Sequence, residues 1–226
     1  GHAYMPETSM MSFYLLTYYL YIKNKIQEGT FLKPLMIISL ILAPLIKPPA
    51  GIIYIPIFLD SIFRKNLKYI FKKFILLFTC SLPFLFWMIY ASTVNSSEMS
   101  TGSNYGDWLN ILFGKSSMFR LWFNLNFYKK IFSYFIIQHL NPLTFLLAIN
   151  GILISIRTKD WVNKFHINWI LGNILFLFIF SGANIGHPYY QIYFTPPLLF
   201  FVGLFISKFS KSISNKNIII NICLVL

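Results

Sequence analysis

Three places in this chain carry side chains that could do chemistry. The densest is Gly186-His187-Pro188-Tyr189-Tyr190-Gln191, continued by Ile192-Tyr193-Phe194-Thr195-Pro196-Pro197, a polar and aromatic turn between two long apolar runs. Glu7, with His2 and Tyr4 shortly before it and Pro6 adjoining, opens another apolar run. Lys47, followed by Pro48-Pro49-Ala50-Gly51, stands where a third run breaks. A carboxylate can take the proton from an attacking hydroxyl. A fixed cation can neutralise a phosphate leaving group as its bond breaks. Each feature also has a plainer reading. Tyr collects at the bilayer interface whatever its function. Pro6 and Glu7 suit a helix start, with the acid facing the positive end of the helix dipole. A Lys at a helix end snorkels towards the headgroups.

Other chemistries find no pattern. The four histidines, His2, His139, His166 and His187, are scattered, and no H-E-x-x-H or paired-cysteine motif occurs, so no metal site is expected. Cys80 and Cys223 both lie in apolar runs and form no disulfide framework. There is no Gly-rich phosphate loop. No cofactor is certain from these residues.

The elements that must position these residues are membrane helices. Of 226 residues, 57% are hydrophobic and 11% charged, against about 25% charged in a soluble domain. The net charge of +13 does not indicate nucleic acid, because the basic residues fall in short clusters between apolar runs. About eight apolar segments are expected: Met10–Ile22, Phe31–Ile46, Ile52–Phe63, Ile75–Ala91, Pro142–Ile156, Ile167–Ser181, Ile192–Ile206 and a run ending at Leu226. Residues from about 92 to 140 read as an external loop, whose later part, Met118–Leu140, lies in the interface or re-enters it. Pro34, Pro44 and Pro83 fall inside runs, and neighbours must satisfy the carbonyls they free. Asp60, four residues before Arg64, is expected to pair with it locally. The fold class is an all-α, polytopic transmembrane bundle, read as a single domain over 1–226. The first residue is not Met and the last run is unbroken, so a fragment missing its front, and perhaps its tail, is expected.

Alternating the segments sorts the charges. With Glu7 outside, the inner loops hold Lys23, Lys25 and Lys33, the cluster Arg64 to Lys73, then Arg157, Lys159 and Lys164, then Lys208, Lys211 and Lys216. Only Lys47, Lys115, Arg120, Lys129 and Lys130 of the 19 Lys and Arg fall outside. The positive-inside rule thus puts Glu7, Lys47 and His187 all on the non-cytoplasmic side of a cell membrane.

On those residues the chain resembles the polytopic lipid-linked-sugar glycosyltransferases of the GT-C type. These are relatives of the dolichyl-phosphate-mannose protein mannosyltransferases and the aminoarabinose transferase. Tyr4-Met5-Pro6-Glu7 resembles the family's P-D/E segment, Leu45-Ile46-Lys47-Pro48-Pro49 its T-K-x-P turn, and His187 to Pro196 its last external loop, H-x-Y-Y-x-x-x-x-x-P. The motifs are short and span Tyr4 to about Lys208. The resemblance implies transfer of a sugar from a polyprenyl-phosphate donor to a glycan, lipid or protein acceptor, with membrane lipids as the other partner. It implies that Lys47, His187, Tyr189, Tyr190, His2 and Tyr4 bind substrate and that Glu7 is a secondary catalytic acid. The principal acid would lie in a large external loop before Gly1. Two other classes stand beside it: a transporter or flippase of lipid-linked sugars, for which no internal repeat is visible although Pro44 and Pro83 interrupt spans, and a non-catalytic membrane subunit.

Overall fold

A computed structural model describes residues 7–27, 32–63, 66–94, 121–158, 160–186 and 188–214. Among these residues the regular structure is helical, with no strand. They form two compact units, one within Gly1–Phe123 and Leu171–Ala183, the other within Asn124–Ile170 and Asn184–Leu226.

The first unit begins with an antiparallel hairpin of α1 (Glu7–Gln27) and α2 (Leu32–Ile46). The buried face of α1 carries Met10, Tyr14, Thr17, Tyr18 and Tyr21, three or four residues apart and hence on one side of the helix. Buried tyrosines need partners for their hydroxyls. Tyr18 donates to Tyr14, and Tyr14 to Asn173 Oδ1, both at 3.5 Å. Tyr21 donates to Asp60 Oδ2 at 2.6 Å.

Pro44, inside α2, has no N–H for the Leu40 carbonyl one turn back. The Tyr54 hydroxyl donates to that carbonyl at 3.0 Å, and it also lies 3.3 Å from the Cys80 carbonyl. Lys47 follows α2 with φ −151° and ψ 120°, the extended conformation that a following proline imposes. A 3₁₀ turn (Pro48–Ile53) leads into α3 (Tyr54–Ile62). Tyr54 thus ties α2 and α3 to α4 (Leu67–Val94). Gly172 admits the close approach of Ile55 and Pro56: a Cβ there would sit 3.1 Å from Pro56 Cδ.

In the second unit, α5 (Leu125–Ser133) starts at Asn124, whose side chain accepts from the Asn126 N–H at 2.9 Å. A π-helical turn (Tyr134–His139) follows. Then α6 (Pro142–Ile156) starts at Asn141, which accepts from the Thr144 N–H at 2.8 Å with Pro142 next, a favoured helix opening. Helix α7 (Trp161–Ile179) gives its first ten residues to this unit and the rest to the other. After α8 (Ser181–Gly186) and a 3₁₀ turn (Pro188–Phe194) comes α9 (Thr195–Ser214). The buried side of α6 is Ala148, Gly151 and Ser155, and small residues let helix backbones meet closely. A Cβ at Gly151 would collide with the Phe201 carbonyl of α9. Phe135 packs edge-on against Phe194 at 4.9 Å, so α6 and α9 begin at the same end and run parallel.

Three helices are long and apolar enough to cross a membrane: Leu67–Tyr90, Trp161–Ile179 and Tyr190–Lys211. A fourth exists if Leu125–Ile137 and Pro142–Ile156, bent by 102°, make one broken span. The chain therefore has three to four candidate spans among its described residues. Leu32–Ile46 and Pro49–Ile62 are apolar but shorter than the ~20 residues an untilted span needs.

Candidate functional site

The predicted site residues fall in both units. Glu7 is the first residue of α1. Its side chain, that of Tyr189, and His2, Tyr4 and His187 lie outside the described residues. Lys47 is half-buried at the junction of α2 and the 3₁₀ turn. Its N–H reaches the Ala43 carbonyl at 3.3 Å and its own carbonyl accepts from Ala50 at 2.9 Å. The backbone there is pinned on both sides.

In the second unit the turn Pro188–Phe194 directs its described groups inward. Tyr190 is buried, and Gln191 is wholly so. The Gln191 amide donates to the Asn184 carbonyl at 3.1 Å and to Asn184 Oδ1 at 3.2 Å. Its Oε1 is buried with no hydrogen-bond partner among the described residues. Tyr134 donates to the Ile185 carbonyl at 3.1 Å, which fastens the π-helical turn to the same segment. A stretch that reads as an exposed loop is thus anchored by a buried amide pair. Gln191 belongs to the polar turn that the sequence marks, but its partner Asn184 is not marked there; its place between two apolar runs is the available signal.

A carboxylate outside the predicted site is held by two partners. Asp60 Oδ2 is 2.6 Å from Lys25 Nζ and 2.6 Å from the Tyr21 hydroxyl. An ion-pair partner, Lys25, comes from α1; Arg64, the partner expected from local spacing, lies outside the described residues. Packing of α1 near α3 brings together groups 35 residues apart, which local spacing cannot show. Among the described residues no group of three His, Cys, Asp or Glu side chains could hold a metal ion.

No protein family, curated protein or solved structure matches the chain. What the fold defines is the class: a helical protein with several helices suited to a membrane.

Proposed function

We propose that this chain belongs to a GT-C-like membrane glycosyltransferase of about eight apolar segments, acting on the non-cytoplasmic face of a cell membrane. Its donor is a polyprenyl-phosphate-linked sugar and its acceptor a hydroxyl of a glycan, lipid or protein. The observation that carries the reading is the coincidence, in the family's order, of Pro6-Glu7, Lys47-Pro48-Pro49 and His187-Pro188-Tyr189-Tyr190 on one expected face. The acceptor oxygen forms a bond to the anomeric carbon, the carbon–oxygen bond to phosphate breaks, and polyprenyl phosphate leaves with the bonding pair. Glu7 orients the acceptor hydroxyl or takes its proton. Lys47, held at the headgroup level, stabilises the phosphate as its charge grows. The resemblance gives donor binding to His187, Tyr189, His2 and Tyr4; Tyr190, to which it gives the same role, is buried within its unit.

The test is sugar transfer by the purified full-length protein in lipid, with protein level and fold checked. Glu7→Gln and Lys47→Ala lower the rate; for Lys47 the loss of one preorganised charge contact corresponds to about a hundredfold or more. Lys68→Ala, on the opposite expected face, leaves the rate unchanged. Wild-type transfer in both Glu7→Gln and Lys47→Ala overturns the reading and leaves transport or a docking subunit.

A further inference from the structure

The first unit contains a cavity of about 440 Å³ between the last turns of α1, the first turns of α2 and the first turns of α4. Cavities of this size hold small ligands or headgroups. Its polar wall is basic: Lys25, Lys33, Lys72 and Lys73 all line it. Lys25 is engaged by Asp60 at 2.6 Å. Lys73 lies over the Tyr21 and Tyr69 rings at 5.3 and 5.6 Å. Lys33 and Lys72 are exposed at their helices, and among the described residues neither has an ion-pair partner. The apolar wall is Met36, Ile37 and Leu76. Between the two walls sits Asn24, whose Oδ1 is buried with no hydrogen-bond partner among the described residues.

We infer that this cavity binds the headgroup of an anionic phospholipid. The shared chemistry is a phosphate anion against ammonium groups, and three features favour a lipid over free phosphate. The cavity has an apolar wall, which a phosphate ion cannot use but a glycerol backbone and first methylenes can. Helix α4, which supplies Lys72 and Lys73, is a candidate span whose Phe71, Phe74 and Phe78 are more than half exposed, the surface that acyl chains cover. The lysines stand at one end of the helices, where a bilayer's headgroups would meet them. Basic pockets between membrane helices on the cytoplasmic side take anionic headgroups for these reasons. The inference rests on this unit alone and stands whether or not the chain transfers sugar.

The experiment measures binding of short-chain phosphatidylglycerol, short-chain phosphatidylcholine and inorganic phosphate to the full chain in neutral detergent, by native mass spectrometry and calorimetry. Phosphatidylglycerol binds, and phosphatidylcholine and inorganic phosphate bind at least tenfold more weakly. Lys33→Ala with Lys72→Ala lowers phosphatidylglycerol affinity about 30-fold, at the usual contribution of a basic residue facing anionic lipid. Lys33→Arg with Lys72→Arg retains binding, which shows that charge is read and that the fold survives. Lys68→Ala, the same charge loss on the same helix outside the cavity lining, stays within threefold. Unchanged affinity in the double alanine variant overturns the proposal. So does phosphatidylcholine binding as tightly as phosphatidylglycerol, or inorganic phosphate binding as tightly as the lipid.

Discussion

Asp60 shows what a single side chain contributes here. Its carboxylate and the Lys25 ammonium are 11% and 14% exposed, and Tyr21 adds a hydrogen bond to the same oxygen. Desolvation offsets much of the attraction in such a pair, so its net worth is small; removing one partner is what costs, because the other charge stays buried. Lys25→Met is expected to destabilise the protein by about 3–5 kcal/mol. Tyr21→Phe removes one hydrogen bond to a charged group, about 1.5–3 kcal/mol. Lys25→Met combined with Asp60→Leu recovers most of the loss, since no lone charge remains. Denaturant unfolding in detergent micelles reads all three. A neutral Lys25→Met would show that water reaches Asp60 freely. The sequence made Asp60 legible as a carboxylate at a helix end. It could not reveal Lys25, which stands 35 residues away along the chain and is brought to Asp60 by tertiary packing.

At the scale of elements, the apolar runs were legible and their interiors were not. Runs bounded by Lys, Pro and Gly became α2 and α6 at the expected limits, while α4 and α7 begin eight and six residues earlier and α9 ends eight residues later, through basic and polar residues that the apolar pattern excludes. The break after Leu140 was legible too, since Asn141-Pro142 is a strong helix start. The sequence of α1 reads as one more apolar run, yet its buried face is largely tyrosine, and tyrosine lowers hydropathy without preventing burial. That is one reason the count of long apolar helices falls below the count of apolar runs. Pro44 in the sequence requires that a neighbour satisfy the carbonyl it frees, and in the fold Tyr54 does so. Tyr54→Phe strands a carbonyl beside buried Leu40 and should cost about 1–3 kcal/mol. Pro44→Ala restores the N–H to that carbonyl, so Tyr54→Phe should cost clearly less in a Pro44→Ala background. Equal costs in both backgrounds, measured as a double-mutant cycle, would break the assignment. Helix packing gives a second contrast. Gly151→Ala forces α6 from α9 and should cost about 1–3 kcal/mol. Gly203→Ala on α9, where a Cβ meets nothing within 4 Å, should be neutral or stabilising by up to about 1 kcal/mol. Matching losses at the two glycines would contradict the close α6–α9 approach.

For the whole molecule, the arrangement of charge within each unit is the strongest constraint. In the first unit Lys25, Lys33, Lys72 and Lys73 gather at one end of the helices around a single cavity, and Lys47 is at the far end of α2. In the second, α6 and α9 run parallel, so Arg157 and Lys208 lie towards one end and the Pro188–Phe194 turn at the other. Each unit separates its cations as a bilayer would demand. The difficulty is length. Helix α2 has 15 residues, about 22 Å at 1.5 Å per residue, against a hydrocarbon core of ~30 Å. Lys33 and Lys47 can bridge the shortfall only if their side chains extend outward along the helix axis to the headgroups on both sides. If α2 crosses in this way, Lys47→Cys and Lys72→Cys become accessible from opposite faces. On a background of Cys80→Ala and Cys223→Ser, a membrane-impermeant maleimide added to intact cells should label Lys47→Cys and spare Lys72→Cys, with the pattern reversed in inverted vesicles. Labelling of both from the same side would make α2 and α3 a re-entrant hairpin. It would also remove Lys47 from the face on which sugar transfer is proposed.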